Sequence, residues 1–156
     1  MEETLVFLKP DAVQRGLTGE IISRFEKRGL QIIGLKMLQL DESFVRDHYA
    51  AHEGKHFYEP LVRYIIAGPI VAMVVKGKNA IQVVRNMMGE TFGGDSAPGT
   101  IRGDYAVSDR YNLIHGSDSP EAARKEIDRF FTEEELVEHP PEALEWIYDM
   151  SGERTV

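Results

Sequence analysis

TLVFLKPDAVQRGLTGEIISRFEKRGLQIIGLKMLQL, residues 4–40, carries the reading that decides the architecture. Thr4 to Lys9 is a short apolar run stopped by Pro10, and it predicts a strand, because proline has no N–H to give a ladder. Asp11 to Leu17 reads as a loop containing Gly16. Thr18 is placed to cap a helix running to about Arg28, with Ile21, Ile22 and Phe25 on one face and Gly29 as its stop. Gln31 to Leu40 is again β-rich and apolar, a second strand.

Outward from there, Asp41 and Ser43 open a helix to about Ala51. Glu59-Pro60 starts another, with Leu61, Val62, Ile65 and Ile66 turned inward, and Gly68-Pro69 ends it. Ile70 to Val75 is a continuous apolar run, as expected for a buried central strand. Asn79 caps a helix to about Met88, and Gly89 ends it. Glu90 to Tyr111 shows no clear period, and so long a loop in a compact domain usually carries function. Leu113-Ile114 predicts a short strand. Ser119-Pro120 is an N-cap followed by a first-turn proline, with Ile127, Phe130 and Phe131 as the buried face of the helix. Thr132 with Glu135 forms a capping box for a last short helix, and Trp146 reads as an anchor for the C-terminal segment. The order is β-α-β, two inserted helices, then β-α-loop-β-α. It predicts one α+β domain over residues 1–156, a ferredoxin-like (split βαβ) sandwich. Its four-stranded antiparallel sheet would have helices over one face and two inserted helices.

Composition narrows the function. The 156 residues suffice for one domain with a core, and 42% of them are hydrophobic, too many for a disordered chain. No apolar run is long enough for a membrane span, and the N-terminus lacks the basic-then-apolar pattern of a signal peptide, so a cytoplasmic location is expected. The absence of cysteine excludes disulfides and thiolate chemistry. A net charge of −8 argues against nucleic-acid or anionic-membrane partners, which need a basic face. A small anionic ligand remains open, provided the few cations are gathered locally.

Asn112-Leu113-Ile114-His115-Gly116-Ser117-Asp118-Ser119 places one histidine between an apolar run and a helix start. His115 is either a strand-end histidine satisfied by backbone or a nucleophile. Asn112, Ser117 and Glu126 are turn and helix residues on the plain reading. On the other, Glu126 reaches back from the following helix to one ring nitrogen, fixes the tautomer and leaves the other nitrogen free to attack. Lys9 ends the first strand and faces either solvent or a cleft. Arg85 lies on a helix, while Arg102 stands between glycines in the long loop, where backbone can approach a ligand closely. Thr91 is a loop residue or a phosphate donor, and arginine forks suit phosphate oxygens. Tyr49 and Phe57 flank the loop between the inserted helices, either as packing residues or as a phosphate-side phenol and a base-stacking ring. His48, His52 and His56 lack the companion signals of a metal site, and Gly54 breaks the helix between the last two.

Together these pieces resemble the nucleoside diphosphate kinase family. The matching motifs are Lys9-Pro10-Asp11, Gln14-Arg15-Gly16 with Gly19-Glu20-Ile21, His48-Tyr49, Gly68-Pro69, Pro98 to Asp104, and Asn112 to Ser119. They run from about Glu3 to Tyr148. The resemblance implies that His115 takes a γ-phosphate on Nδ1 and passes it to a nucleoside diphosphate. Glu126 would orient the ring with help from Ser117, and Tyr49 would sit beside the phosphate. Lys9 and Asn112 would contact the ribose, with Lys9 also near the transferred group. Arg85, Thr91 and Arg102 would hold phosphates, and Phe57 would stack on the base. Mg²⁺ would arrive on the nucleotide, with no protein ligands of its own. The family often has Asn-Pro where this chain has Phe92-Gly93, Gly-Arg where it has Arg110-Tyr111, and proline at His56. Subunit contacts in the family involve the long loop, so assembly is an open point. The longer C-terminus, reaching Val156, points to a homo-hexamer over a tetramer. The alternative is a non-catalytic nucleotide-binding or regulatory assembly module of the same fold.

Overall fold

The computed structural model describes residues 1–152. Its sheet is built from β1 (Glu2–Leu8), β2 (Gln31–Leu38), β3 (Ile70–Gly77) and β4 (Ile114–Gly116). The strands lie in the order β2-β3-β1-β4, and every neighbouring pair is antiparallel. Seven helices connect them: α1 (Pro10–Gln14), α2 (Thr18–Lys27), α3 (Glu42–His48), α4 (Tyr58–Ile66), α5 (Ala80–Met88), α6 (Ile101–Tyr105) and α7 (Pro120–Phe130). This is the expected split βαβ sheet, with α3 and α4 as the inserted pair.

Alternation along the two central strands shows why the sheet is buried on both sides. Val6 and Leu8 of β1 join Met73 and Val75 of β3 on one face, under Ile21 and Phe25 of α2 and Val84 and Met88 of α5. Leu5 and Phe7 join Ala72 and Val74 on the other, under Val45 of α3, Val62 and Ile65 of α4 and Phe130 of α7. Helices therefore cover both faces, not one. The apolar runs of β1 and β3 are continuous because each strand feeds two cores.

Local differences have local causes. The expected loop at 11–17 holds a short helix, α1, whose proline needs no N–H partner at the first turn. Thr18 is the first residue of α2 and makes no cap bond. The helix expected to reach Ala51 ends at His48 and gives way to a 3₁₀ turn over Ala50–His52. The long loop contains a 3₁₀ turn, Gly93–Asp95, and α6, capped where the Gly103 amide donates to the Thr100 hydroxyl at 3.0 Å. Five residues are too few for a periodic pattern to show. Leu113 stands outside β4, so His115 lies within that strand and not at its end. Ser119 caps α7 as expected, accepting from the Ala122 amide at 3.1 Å, and the Thr132–Glu135 box forms. Trp146 anchors nothing: it is 86% exposed. Its neighbours dock instead, with Ile147 against Gly29 and the Tyr148 hydroxyl donating to the Gly29 carbonyl at 3.2 Å. The residues from 153 to Val156, part of the C-terminal length used above, lie outside the described residues. Among the described residues, no helix is long and apolar enough to cross a membrane.

Phe25 has no exposure and sits where α2 meets the sheet. Phe25→Ala is expected to remove about 3–5 kcal/mol of stability, read as a lower urea midpoint at unchanged slope.

Candidate active site

The register of β4 on β1 pairs Val6 with Gly116, Phe7 with His115 and Leu8 with Ile114. Cross-strand partners lie side by side, so the His115 ring stacks on Phe7, with centroids 4.7 Å apart and planes 19° from parallel. His48, from the end of α3, closes on the imidazole edge-on at 5.4 Å. These two rings leave His115 little rotational freedom. Its Nε2 lies 2.7 Å from Glu126 Oε2, on the second turn of α7. The Ser117 hydroxyl donates to the same oxygen at 3.0 Å.

Burial alone would raise the Glu126 carboxyl. The hydrogen bond and charge of His115, with His48 and Ser117, outweigh it, and the group titrates below its ordinary value. An ionised carboxylate only accepts, so His115 Nε2 faces it as the donor, and in the neutral ring the lone pair then lies on Nδ1. His48 is pushed down to about 4 by burial and by His115, against the pull of Glu126 and Asp47. His48 is therefore a neutral ring at ordinary pH where it meets His115.

A second network lies beside the first. The Lys9 ammonium donates to Asn112 Oδ1 at 2.6 Å, and Asn112 Nδ2 donates to the Thr91 carbonyl at 2.9 Å. Arg102 donates through Nε to the Asn112 carbonyl at 3.0 Å and through Nη2 to Ile114 at 2.7 Å. Its Nη1 bonds the Gly89 and Glu90 carbonyls, both at 3.2 Å. The guanidinium thus fastens the long loop to β4 and keeps its charge with no carboxylate partner among the described residues. Burial and Arg85 push Arg102 down to about 10. Lys9 falls to about 7, through burial first and Arg102 second, with Asp11 opposing. Arg85 reaches in from α5, donating to the Gly116 carbonyl at 3.4 Å. Two buried cations, Lys9 and Arg102, beside a second arginine, Arg85, form a locally positive site suited to an anion.

The sequence-derived residues fall into this frame unevenly. His115, Glu126, Ser117, Lys9, Asn112, Arg102 and Arg85 come together. Thr91 contributes its carbonyl to the Asn112 bond. Tyr49 packs edge-on against His48 at 4.7 Å, and its buried hydroxyl has no partner among the described residues. Burial, reinforced by the Glu126 charge, holds that phenol above its ordinary range, so it stays a donor. Phe57 stands farther out, 38% exposed, with its ring 5.3 Å from His52, which in turn stacks on Tyr49. His52 and His56 do not gather with His48. A cleft of about 530 Å³ between α5 and the long loop touches Arg85, Gly89 and Glu90 but not His115. The hydrogen-bond network, more than cavity size, marks the site.

Three contributors escaped the sequence reading. Phe7 stood only within an apolar strand, and His48 within a histidine run and the His48-Tyr49 motif, with no role of its own. Asp11 was noted only within a motif. Its carboxylate accepts from the Leu113 amide at 3.2 Å and from the Tyr64 hydroxyl, which supports the turn before β4. Leu113 there has φ of +71°, a left-handed conformation rare for a branched side chain. The proline-lacking Phe92-Gly93 segment is held in another way. The Ser96 hydroxyl hydrogen-bonds the Glu90 and Phe92 carbonyls at 2.9 and 3.1 Å, and a side chain at Gly93 would strike the Ala106 carbonyl. Tyr111 packs edge-on against Tyr64 at 5.1 Å.

A sheet-edge imidazole held by a carboxylate, beside the clustered cations Lys9, Arg85 and Arg102, defines a phosphate-handling enzyme site. Residues 2–136 match the family model for nucleoside diphosphate kinase, and the chain belongs to that family. The nucleoside diphosphate kinase of Roseiflexus sp. (strain RS-1) is 55% identical over 96% of this chain and all of that relative. The one from Thermococcus kodakarensis is 56% identical over 95% of this chain and 86% of its own. Among solved structures, the halophilic nucleoside diphosphate kinase from Halobacterium salinarum, in complex with CDP, superposes with a TM-score of 0.92. It is 48% identical and covers 94% of this chain and 98% of its own.

An NMR titration of the Lys9 ε-methylene is expected to give a midpoint near pH 7, and added sulfate to raise it. A midpoint near the ordinary lysine value would mean that Lys9 is not held as described.

Proposed function

We propose that this chain is a nucleoside-diphosphate kinase that moves the terminal phosphate of a nucleoside triphosphate to a nucleoside diphosphate through phosphorylated His115. The observation that carries this is the 2.7 Å bond between His115 Nε2 and Glu126. It leaves Nδ1 as the one ring nitrogen with a free lone pair. In the first half-reaction Nδ1 attacks the γ-phosphorus, the bond to the bridging oxygen breaks, and the diphosphate leaves with that electron pair. The ring becomes cationic as the N–P bond forms, and Glu126 stabilises it. A second diphosphate then takes the phosphoryl group in the reverse step.

The other residues position and neutralise. Lys9, Arg85 and Arg102 would balance the phosphate charge. Arg102 acts mainly as a fixed charge, since most of its N–H groups are committed to carbonyls. The Tyr49 hydroxyl would donate to a phosphate oxygen, and Asn112 and Lys9 would meet the ribose hydroxyls. Thr91 would help hold the phosphates. Phe57 would stack on the base, which any base allows, because each has a π-face. Mg²⁺ is the cofactor we assign. It prefers an all-oxygen octahedral shell, and the three metal-capable side chains grouped here include two imidazoles. The nucleotide phosphates would therefore carry it, and when bound it would neutralise charge on them.

We assign the protein to the cytoplasm and to a homo-oligomer, a hexamer in preference to a tetramer. Leu35 and Met37 on β2 are 54% and 63% exposed, and Val107 within the long loop is 93% exposed, apolar side chains suited to burial between subunits. Light scattering is expected to give the mass of six chains; a monomer would overturn this assignment. Incubation with labelled ATP is expected to yield an acid-labile, base-stable phosphate on His115, and His115→Ala to abolish transfer to GDP. Retained transfer in that variant would sink the mechanism.

A further inference from the structure

The nucleophile and its carboxylate partner belong with His48 to a second constellation, and phosphoryl transfer gives no role to that third member. His48, His115 and Glu126 each offer one donor atom, and these atoms lie within 4.8 Å of one another. All three residues are half-buried, with side-chain exposures of 20% for His115 and 16% for Glu126, so a hydrated cation can reach them. Two imidazoles and one carboxylate with a remaining open position are a donor set for Zn²⁺. Tetrahedral Zn²⁺, with bonds of about 2.0–2.1 Å, sets its donors about 3.4 Å apart. The observed spread needs only side-chain adjustment to reach that value. His48 comes from α3, His115 from β4 and Glu126 from α7, so the trio exists only in the folded chain. Ser117 already orients the Glu126 carboxylate by donating to Oε2, as an outer-sphere partner of a metal-bound carboxylate does. Mg²⁺ avoids imidazole, so the nucleotide's own cation does not compete here.

We propose that His48, His115 and Glu126 form an inhibitory Zn²⁺ site, and that its occupancy and phosphorylation of His115 exclude each other. This rests on the phosphohistidine reading above. Nε2 is the nitrogen that faces Glu126, so a cation shared between them takes the Nε2 lone pair. The single proton of the neutral ring then resides on Nδ1, and the lone pair that would attack phosphorus is gone. Conversely, a phosphoryl group on Nδ1 leaves the remaining ring proton on Nε2, hydrogen-bonded to Glu126 and closed to the metal. Zinc at this place would hold the enzyme in its unphosphorylated form without touching the nucleotide-binding cations Lys9, Arg85 and Arg102.

The test is direct Zn²⁺ binding to the full chain without nucleotide, by calorimetry and by the visible spectrum of the Co²⁺-substituted site. One Zn²⁺ per chain is expected, with intense tetrahedral Co²⁺ bands. His48→Phe fits a pocket already lined by Phe7 and Phe130. It is expected to weaken Zn²⁺ binding at least about tenfold and to relieve Zn²⁺ inhibition of its own zinc-free phosphorylation rate by a similar factor. If that variant fails to fold, His48→Gln is expected to show the same loss. Chain phosphorylated beforehand with ATP and freed of nucleotide is expected to bind no Zn²⁺. Zinc binding unchanged by either His48 variant, or persisting on the phosphorylated chain, overturns the proposal. Failure of His115 to take phosphate at all would instead overturn the kinase mechanism, and the binding arm would still read the metal site by itself.

Discussion

Three residues of β4 hang on the outer edge of β1, and the chemistry of the molecule depends on that short ladder. It is too short to hold by backbone bonds alone. The Lys9 amide extends it by donating to the Leu113 carbonyl at 2.8 Å, and Arg102 clamps the carbonyls of Asn112 and Ile114 from the other side. Asp11, bonded to the Leu113 amide and to Tyr64, keeps the preceding turn in its left-handed conformation. The result is a fixed pairing of His115 with Phe7, from which the ring stacking, the approach of His48 and the reach of Glu126 all follow. A one-residue slip would turn His115 to the opposite face, away from α3 and α7.

The same arrangement resolves the apparent mismatch between an acidic chain and an anionic ligand. The net charge of −8 is spread over the surface, much of it in exposed pairs such as Arg46 with Glu42 and Glu59. Lys9 and Arg102 are buried instead, where the field of a few unneutralised charges is strong. Burial first and the Arg102 charge second push the Lys9 ammonium down to about 7. An anion beside Lys9 opposes both effects by favouring the charged ammonium.

Much of this was legible beforehand. The succession of strands and helices along the chain, both inserted helices and the Ser119-Pro120 helix start were readable because period, caps and breakers act within a few residues. The His115 segment and the Arg102 loop stood out through glycine placement and motif spacing. What did not show was anything resting on distant contacts. α6 is too short to display a period, and Trp146 has the composition of an anchor but no place to insert. Helices over the second sheet face followed from two-sided apolar strands whose pattern does not say what covers them.

By itself, the sequence determined the alternation of strands and helices, the exclusion of thiol chemistry and the presence of a histidine in a kinase-family motif. These depend on residue identity and short-range geometry. Only the tertiary structure decided that His115 sits in β4 opposite Phe7, that Glu126 holds Nε2 and so frees Nδ1, and that His48 joins them from a helix more than sixty residues earlier in the chain. It also decided that Arg102 is a clamp carrying charge, not an open fork. These facts come from burial and register, which bring together groups whose neighbours in sequence give no sign of one another.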